Sequence, residues 1–158
     1  MKITRILGLL LFVSFVCGTI FTLSSFKTKS KNAEEAAVVA AVEDYVEGLY
    51  QVKPERIERS VHPDLKKRGY WYSSKEEKYS GMLDMTFEQL KTLAGKWNKD
   101  GKNANADSPK KIEVFDVLDK TAVAKLTAEW GIDYFQLAKI DDKWMIVNVL
   151  WQSHPQDM

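Results

Sequence analysis

The hydrophobic period of the chain changes once, near Lys110, and that change limits the folds open to it. Before Lys110 the apolar residues recur at three- and four-residue steps; Val38, Val42, Tyr45, Val46 and Leu49 mark one helical stripe between Ala33 and Tyr50. After Lys110 the period is two. Four strands are expected at 111–118, 121–130, 132–140 and 143–151, joined by turns at Asp119-Lys120, Trp130-Gly131 and Asp141-Asp142. Helices first and a meandering antiparallel sheet last define an α+β domain, with N-terminal helices packed on one face of the sheet.

Between these regions the punctuation is specific. Pro54 suits the first turn of a short helix through Glu58, and Pro63 is expected to open a further helical turn that Gly69 ends. Tyr70-Trp71-Tyr72 is expected as a short strand within an irregular stretch reaching Met85. Thr86-Phe87-Glu88-Gln89 matches a capping box, and the helix it starts is expected to bury Phe87, Leu90, Leu93, Ala94 and Trp97. Asn98 to Pro109 reads as a polar loop.

The N-terminus points away from the cytoplasm. Lys2 and Arg5 precede an uncharged apolar run from Ile6 to Phe26, the form of an export signal or an uncleaved anchor. Lys27, Lys29 and Lys31 follow it, so positive charge brackets the run. The expected organisation is a signal or anchor plus tether over 1–31, a folded domain over 32–152 and a tail over 153–158. The location is then extracytoplasmic (periplasmic, secreted or membrane-anchored), with membrane contact only through 6–26 if that run is uncleaved. The single cysteine, Cys17, lies in the run, so the domain has no internal disulfide. Residues 32–158 carry 18 Lys and Arg against 22 Asp and Glu, a net −4, which argues against nucleic acid as a partner.

Counting outward from two-residue turns assigns the sheet faces. One face collects Phe115, Val117, Ala122, Ala124, Leu126, Phe135, Leu137, Trp144, Ile146 and Leu150, and is expected to be the core. Glu113, Asp133 and Asn148 fall on it as polar exceptions that need partners, a ligand or a rim position. The other face collects Val114, Val123, Tyr134, Met145, Val147, Val149 and Trp151 among the polar Asp116, Lys125, Thr127 and Gln136. That patch predicts a homodimer.

The candidate pocket residues are Tyr45, His62, Tyr72, Asp133, Trp144 and Asn148. Tyr45 and the Tyr70-Trp71-Tyr72 triplet can offer hydroxyls or ring faces. His62 is the one histidine within the domain, which rules out a multi-histidine metal site. No phosphate loop, serine elbow or carboxylate pair with ligand spacing is present, so no cofactor and no metal are expected.

Three segments carry a family resemblance: Val61-His62-Pro63-Asp64-Leu65, Asp133-Tyr134-Phe135-Gln136-Leu137, and Lys143 through Trp151. With the element order, the chain resembles the nuclear transport factor 2-like superfamily, and within it the SnoaL-like domains described as putative lumazine-binding. The resemblance implies a cone-shaped domain in which the helices and a curved antiparallel sheet enclose a pocket, with frequent dimerisation through the outer sheet face. It also implies a choice of functions, since the superfamily holds isomerases, dehydratases and cyclases beside pocket domains with no assigned reaction. Three readings follow: a pocket for a small apolar or aromatic molecule, an enzyme using Asp133 or His62 as general base, and a protein-interaction module. A core so filled by Trp144, Phe135 and Phe115 that no ligand fits would favour the last. Asp142 departs from the glycine usual at that turn.

Overall fold

The computed structural model describes residues 31–156, so the apolar run at 6–26 lies outside the described residues. No helix among the described residues is long and apolar enough to cross a membrane.

Helix α1 covers 31–50, and its stripe is the anticipated one: Val38, Val42, Tyr45 and Val46 are fully buried and Leu49 nearly so. Helix α2 (Pro54–Ser60) starts with proline in its first turn, where a missing N–H costs nothing. Helix α3 (Phe87–Ala94) opens with the complete capping box: Gln89 N–H donates to Thr86 Oγ1, and Thr86 N–H donates to Gln89 Oε1. It buries Leu90 and Ala94 fully, while Phe87, Leu93 and Trp97 pack against the core half-buried.

The sheet is larger than the meander alone. Strands β1 (Val61–Tyr70), β4 (Leu83–Met85), β5 (Lys110–Val117), β6 (Thr121–Ala128), β7 (Gly131–Ile140) and β8 (Lys143–Gln152) form six strands in the order β4-β1-β8-β7-β6-β5. Strands β2 (Tyr72–Ser73) and β3 (Lys78–Tyr79) form a separate hairpin. All neighbours are antiparallel except β1, which runs parallel to β8.

The helical turn expected over Pro63–Gly69 is therefore a strand. Val61, which caps α2, is already extended, and Leu65, Lys67 and Gly69 then alternate inward with Lys66 and Arg68 outward. Pro63, which lacks an N–H, falls where the β1–β8 register shifts between Val61 and Lys66.

Two bulges also correct the sheet faces. The β5–β6 register shifts between Val114 and Asp116, and the β7–β8 register shifts between Gln136 and Leu137 opposite Val147. One extra residue reverses which face each later side chain meets. Phe115 and Leu150, expected in the core, are 57% and 49% exposed, whereas Val149, expected outside, is buried. Val114 packs against the core, and Glu113 stands outward beside Lys125. Asn148, expected on the core face, pairs with Gln136 on the outer face, donating to its Oε1 at 3.1 Å.

The turns held the remaining faces. Asp141 and Asp142 both take positive φ, 47° and 59°, so the two-residue β7–β8 turn forms without glycine. The β6–β7 turn lies one residue early, at Glu129-Trp130. This moves the pairing by two positions and keeps Ala122, Ala124, Leu126, Asp133, Phe135 and Leu137 inward.

Candidate functional site

Helices α1 and α3 lie over the inner sheet face and leave a cavity of about 190 Å³ at one end. Helix α1 supplies Tyr45 and Leu49 to its wall, and α3 supplies Leu90, Leu93 and the following Trp97. Strand β1 contributes Lys67 and, just past its end, Trp71. Strand β4 gives Met85, the β6–β7 turn Trp130, and β8 Trp151. Four of the five tryptophans in the chain thus meet around one space.

Trp130 ties the aromatic wall together. Its ring meets Tyr45, Tyr50 and Trp97 edge-on at centroid distances of 6.2, 5.7 and 5.3 Å. Tyr50 stacks on Trp97 at 5.8 Å, and its hydroxyl donates to Pro109 O while accepting from Glu129 N–H. Burial pushes Tyr50 up to about 12.

Trp151 reaches the cavity because its neighbour across β1 is Gly69. A Cβ on Gly69 would stand 2.1 Å from Trp151 O and 2.4 Å from its Cδ1. The bulge at Val147 adds the parity change that turns Trp151 inward rather than onto the outer patch expected for it.

Lys67 is the one charged residue among the described residues of this wall, and it is almost sealed from water. Its Nζ donates to Tyr45 Oη at 2.8 Å and to Asp133 Oδ1 at 3.2 Å. It also lies 5.5 Å from the Tyr45 ring centroid and 5.1 Å from that of Trp151. Asp133 Oδ2 accepts from Trp130 Nε1 at 2.9 Å, so both carboxylate oxygens meet fixed donors. Burial holds Lys67 below the usual ammonium range, with Asp133 opposing that shift. Burial, then the Asp133 charge, pushes the Tyr45 phenol well above its ordinary value, so it stays a neutral hydroxyl.

Of the six sequence candidates, the structure brings two together here, Tyr45 and Asp133. His62 sits half-buried on β1 away from the cavity, its Nδ1 accepting from Asp64 N–H at 3.2 Å. Tyr72 lies in the β2–β3 hairpin, its ring 5.2 Å from Tyr79. Trp144 is buried in the core beyond the cavity wall, and Asn148 is on the outer face. Lys67 is hidden from a sequence in which Pro63 is expected to open a helical turn that runs to Gly69. The alternation Leu65, Lys67, Gly69 is the signal that places it inward. Among the described residues no three His, Cys, Asp or Glu side chains gather as a metal site.

A family model described as Putative lumazine-binding matches residues 33–152. The chain belongs to that family. Its fold is that of the nuclear transport factor 2-like superfamily, and solved structures agree with this lumazine-binding-family member. A nuclear transport factor 2-like protein of unknown function from Silicibacter pomeroyi aligns over 78% of this chain and 98% of its own, at 16% identity and TM-score 0.57. One from Methylobacillus flagellatus aligns over 78% and 94%, at 20% identity and TM-score 0.59. A protein named as a putative scytalone dehydratase from Novosphingobium aromaticivorans aligns over 81% and 89%, at 13% identity and TM-score 0.54. These likenesses concern the fold. No curated protein matches the sequence.

Proposed function

We propose that the domain is an extracytoplasmic binding module for a small planar aromatic molecule, held among Trp71, Trp97, Trp130 and Trp151. The observation that carries this reading is the convergence of those indoles and Tyr45 on one cavity where Lys67 is the single charged side chain among the described residues of the wall. Its size limits the ligand. About 190 Å³ slightly exceeds the roughly 150 Å³ cavity known to hold benzene and falls below the roughly 300 Å³ at which drug-sized sites begin. One substituted ring or a compact bicycle fits, and a fused polycycle does not. A bicyclic heteroaromatic of the kind named in the family's description falls within that limit.

Titration of tryptophan fluorescence with such compounds tests the reading, because any occupant touches several indoles. Saturable quenching supports it; its absence across one- and two-ring aromatics opposes it. The enzyme reading has less support. Asp133 is engaged at both oxygens and His62 is outside the cavity, so neither stands free as a base toward an occupant. A filled core, the condition favouring a pure interaction module, is not found, since Phe115 is exposed and the cavity is open.

Export rests on the run at 6–26. Mass spectrometry of the mature chain tests it: an N-terminus near Thr19 supports cleavage, an intact Met1 in the membrane fraction supports the anchor, and full-length chain in the soluble cytoplasm opposes both. Dimerisation rests on the outer face, where Phe115, Val123, Tyr134 and Leu150 are exposed.

A further inference from the structure

An ammonium carries three N–H donors, and Lys67 spends two of them, on Tyr45 Oη and Asp133 Oδ1. The remaining donor belongs to a side chain that lines the cavity. Charge at the site is already balanced, because Asp133 lies 3.2 Å from Lys67 Nζ and is itself inaccessible. Tyr45, the other ionisable group among the described residues of the wall, stays a neutral hydroxyl. The cavity therefore offers a strong donor without a net positive charge.

Three ligand types meet this arrangement differently. A carboxylate must shed its water to enter, and the cation it meets is already compensated, so its desolvation is poorly offset. A pure hydrocarbon satisfies the indoles but leaves a buried N–H without an acceptor, and sites built to hydrogen-bond reject analogues lacking the partner. A neutral carbonyl loses less on leaving water and gains a charge-assisted hydrogen bond.

Building on the aromatic-pocket reading, we infer that the ligand is a neutral planar molecule bearing a carbonyl oxygen that accepts from Lys67 Nζ, and that the Lys67–Asp133 pair excludes carboxylates. Selection lies in the pair, not in the lysine alone. Without Asp133, the same ammonium would recruit anions.

The test titrates the purified protein with quinolin-2-one, naphthalene and quinoline-2-carboxylate, followed by tryptophan fluorescence. The expected order places quinolin-2-one at least tenfold tighter than either of the others. Asp133→Asn is expected to improve the carboxylate relative to the lactam by tenfold or more, a reversal that pocket size alone does not produce. Lys67→Met is expected to bring quinolin-2-one down to naphthalene. The wild-type ranking needs no variant to fold. Naphthalene or the carboxylate binding as tightly as quinolin-2-one would overturn this inference and leave the aromatic pocket standing. Failure of all three to bind would remove the pocket reading and this inference with it.

Discussion

Lys67 Nζ lies 3.2 Å from Asp133 Oδ1, and both side chains are closed off from solvent beside a cavity walled by indoles. The two residues are 66 positions apart, on β1 and β7, so the pair joins elements that do not neighbour each other in the sheet. Removing one partner strands the other charge. Lys67→Met is expected to cost about 3–5 kcal/mol, and Lys67→Met/Asp133→Leu to recover most of it, because two apolar groups leave no buried charge. Urea denaturation of the single and double variants checks this. A double variant no better than Lys67→Met would mean that packing, not charge, sets the loss.

Gly69 sets the position of Trp151. A methyl group there meets both the Trp151 backbone oxygen and its indole, so β1 and β8 must separate locally. Gly69→Ala is expected to destabilise the fold by about 1–3 kcal/mol and to weaken aromatic binding together with it. Thermal melts and the fluorescence titration measure the two effects. An unchanged Tm would contradict the close approach.

The bulge at Val147 makes neighbouring residues differ sharply. Leu150 is 49% exposed beside Tyr134, with Lys125 and Arg68 flanking them, whereas Val149 is 1% exposed against Phe135. Leu150→Glu is expected to leave the fold intact and, if the proposed dimer forms through this face, to give a monomer in light scattering. Val149→Glu is expected to unfold the domain, since it buries an unpaired charge. Equal tolerance of both would place the bulge elsewhere.

Tyr50 gives stability a defined alkaline limit. Its folded value of about 12 exceeds the roughly 10 of an unfolded tyrosine. Below pH 10 its contribution is complete. Between pH 10 and 12 the unfolded chain loses the phenol proton and the folded chain keeps it, so stability falls by about 1.4 kcal/mol per pH unit. Tyr45 acts in the same direction. Tyr50→Phe is expected to lower stability at pH 8 by about 1–3 kcal/mol through its lost hydrogen bonds, and to flatten part of the alkaline fall. Urea midpoints from pH 8 to 12 read both effects.

The legible parts of this fold are those set by local spacing. The α1 stripe placed Tyr45, the Thr86–Gln89 box placed α3, and strict alternation placed Asp133 inward beside Phe135. The illegible parts depend on distant partners. Lys67 resembles any cation in Leu65-Lys66-Lys67-Arg68 until Asp133 and Tyr45 arrive from β7 and α1. Trp151 turns inward through a single extra residue at Val147, and nothing in that strand's run of apolar residues announces the insertion. The tryptophans themselves were visible, but their convergence needs four separate elements to meet.

Whether a ligand sits among these indoles is decided by a fluorescence titration of the wild-type protein with quinolin-2-one beside a Trp130→Leu variant. Trp130 contacts Tyr45, Tyr50, Trp97 and Asp133, so it organises the wall that an occupant would touch. Saturable quenching in the wild type, weakened at least tenfold by Trp130→Leu with the fold retained, is the result expected. No saturable change in the wild type, or equal affinity in a folded Trp130→Leu variant, would contradict a ligand held among these rings.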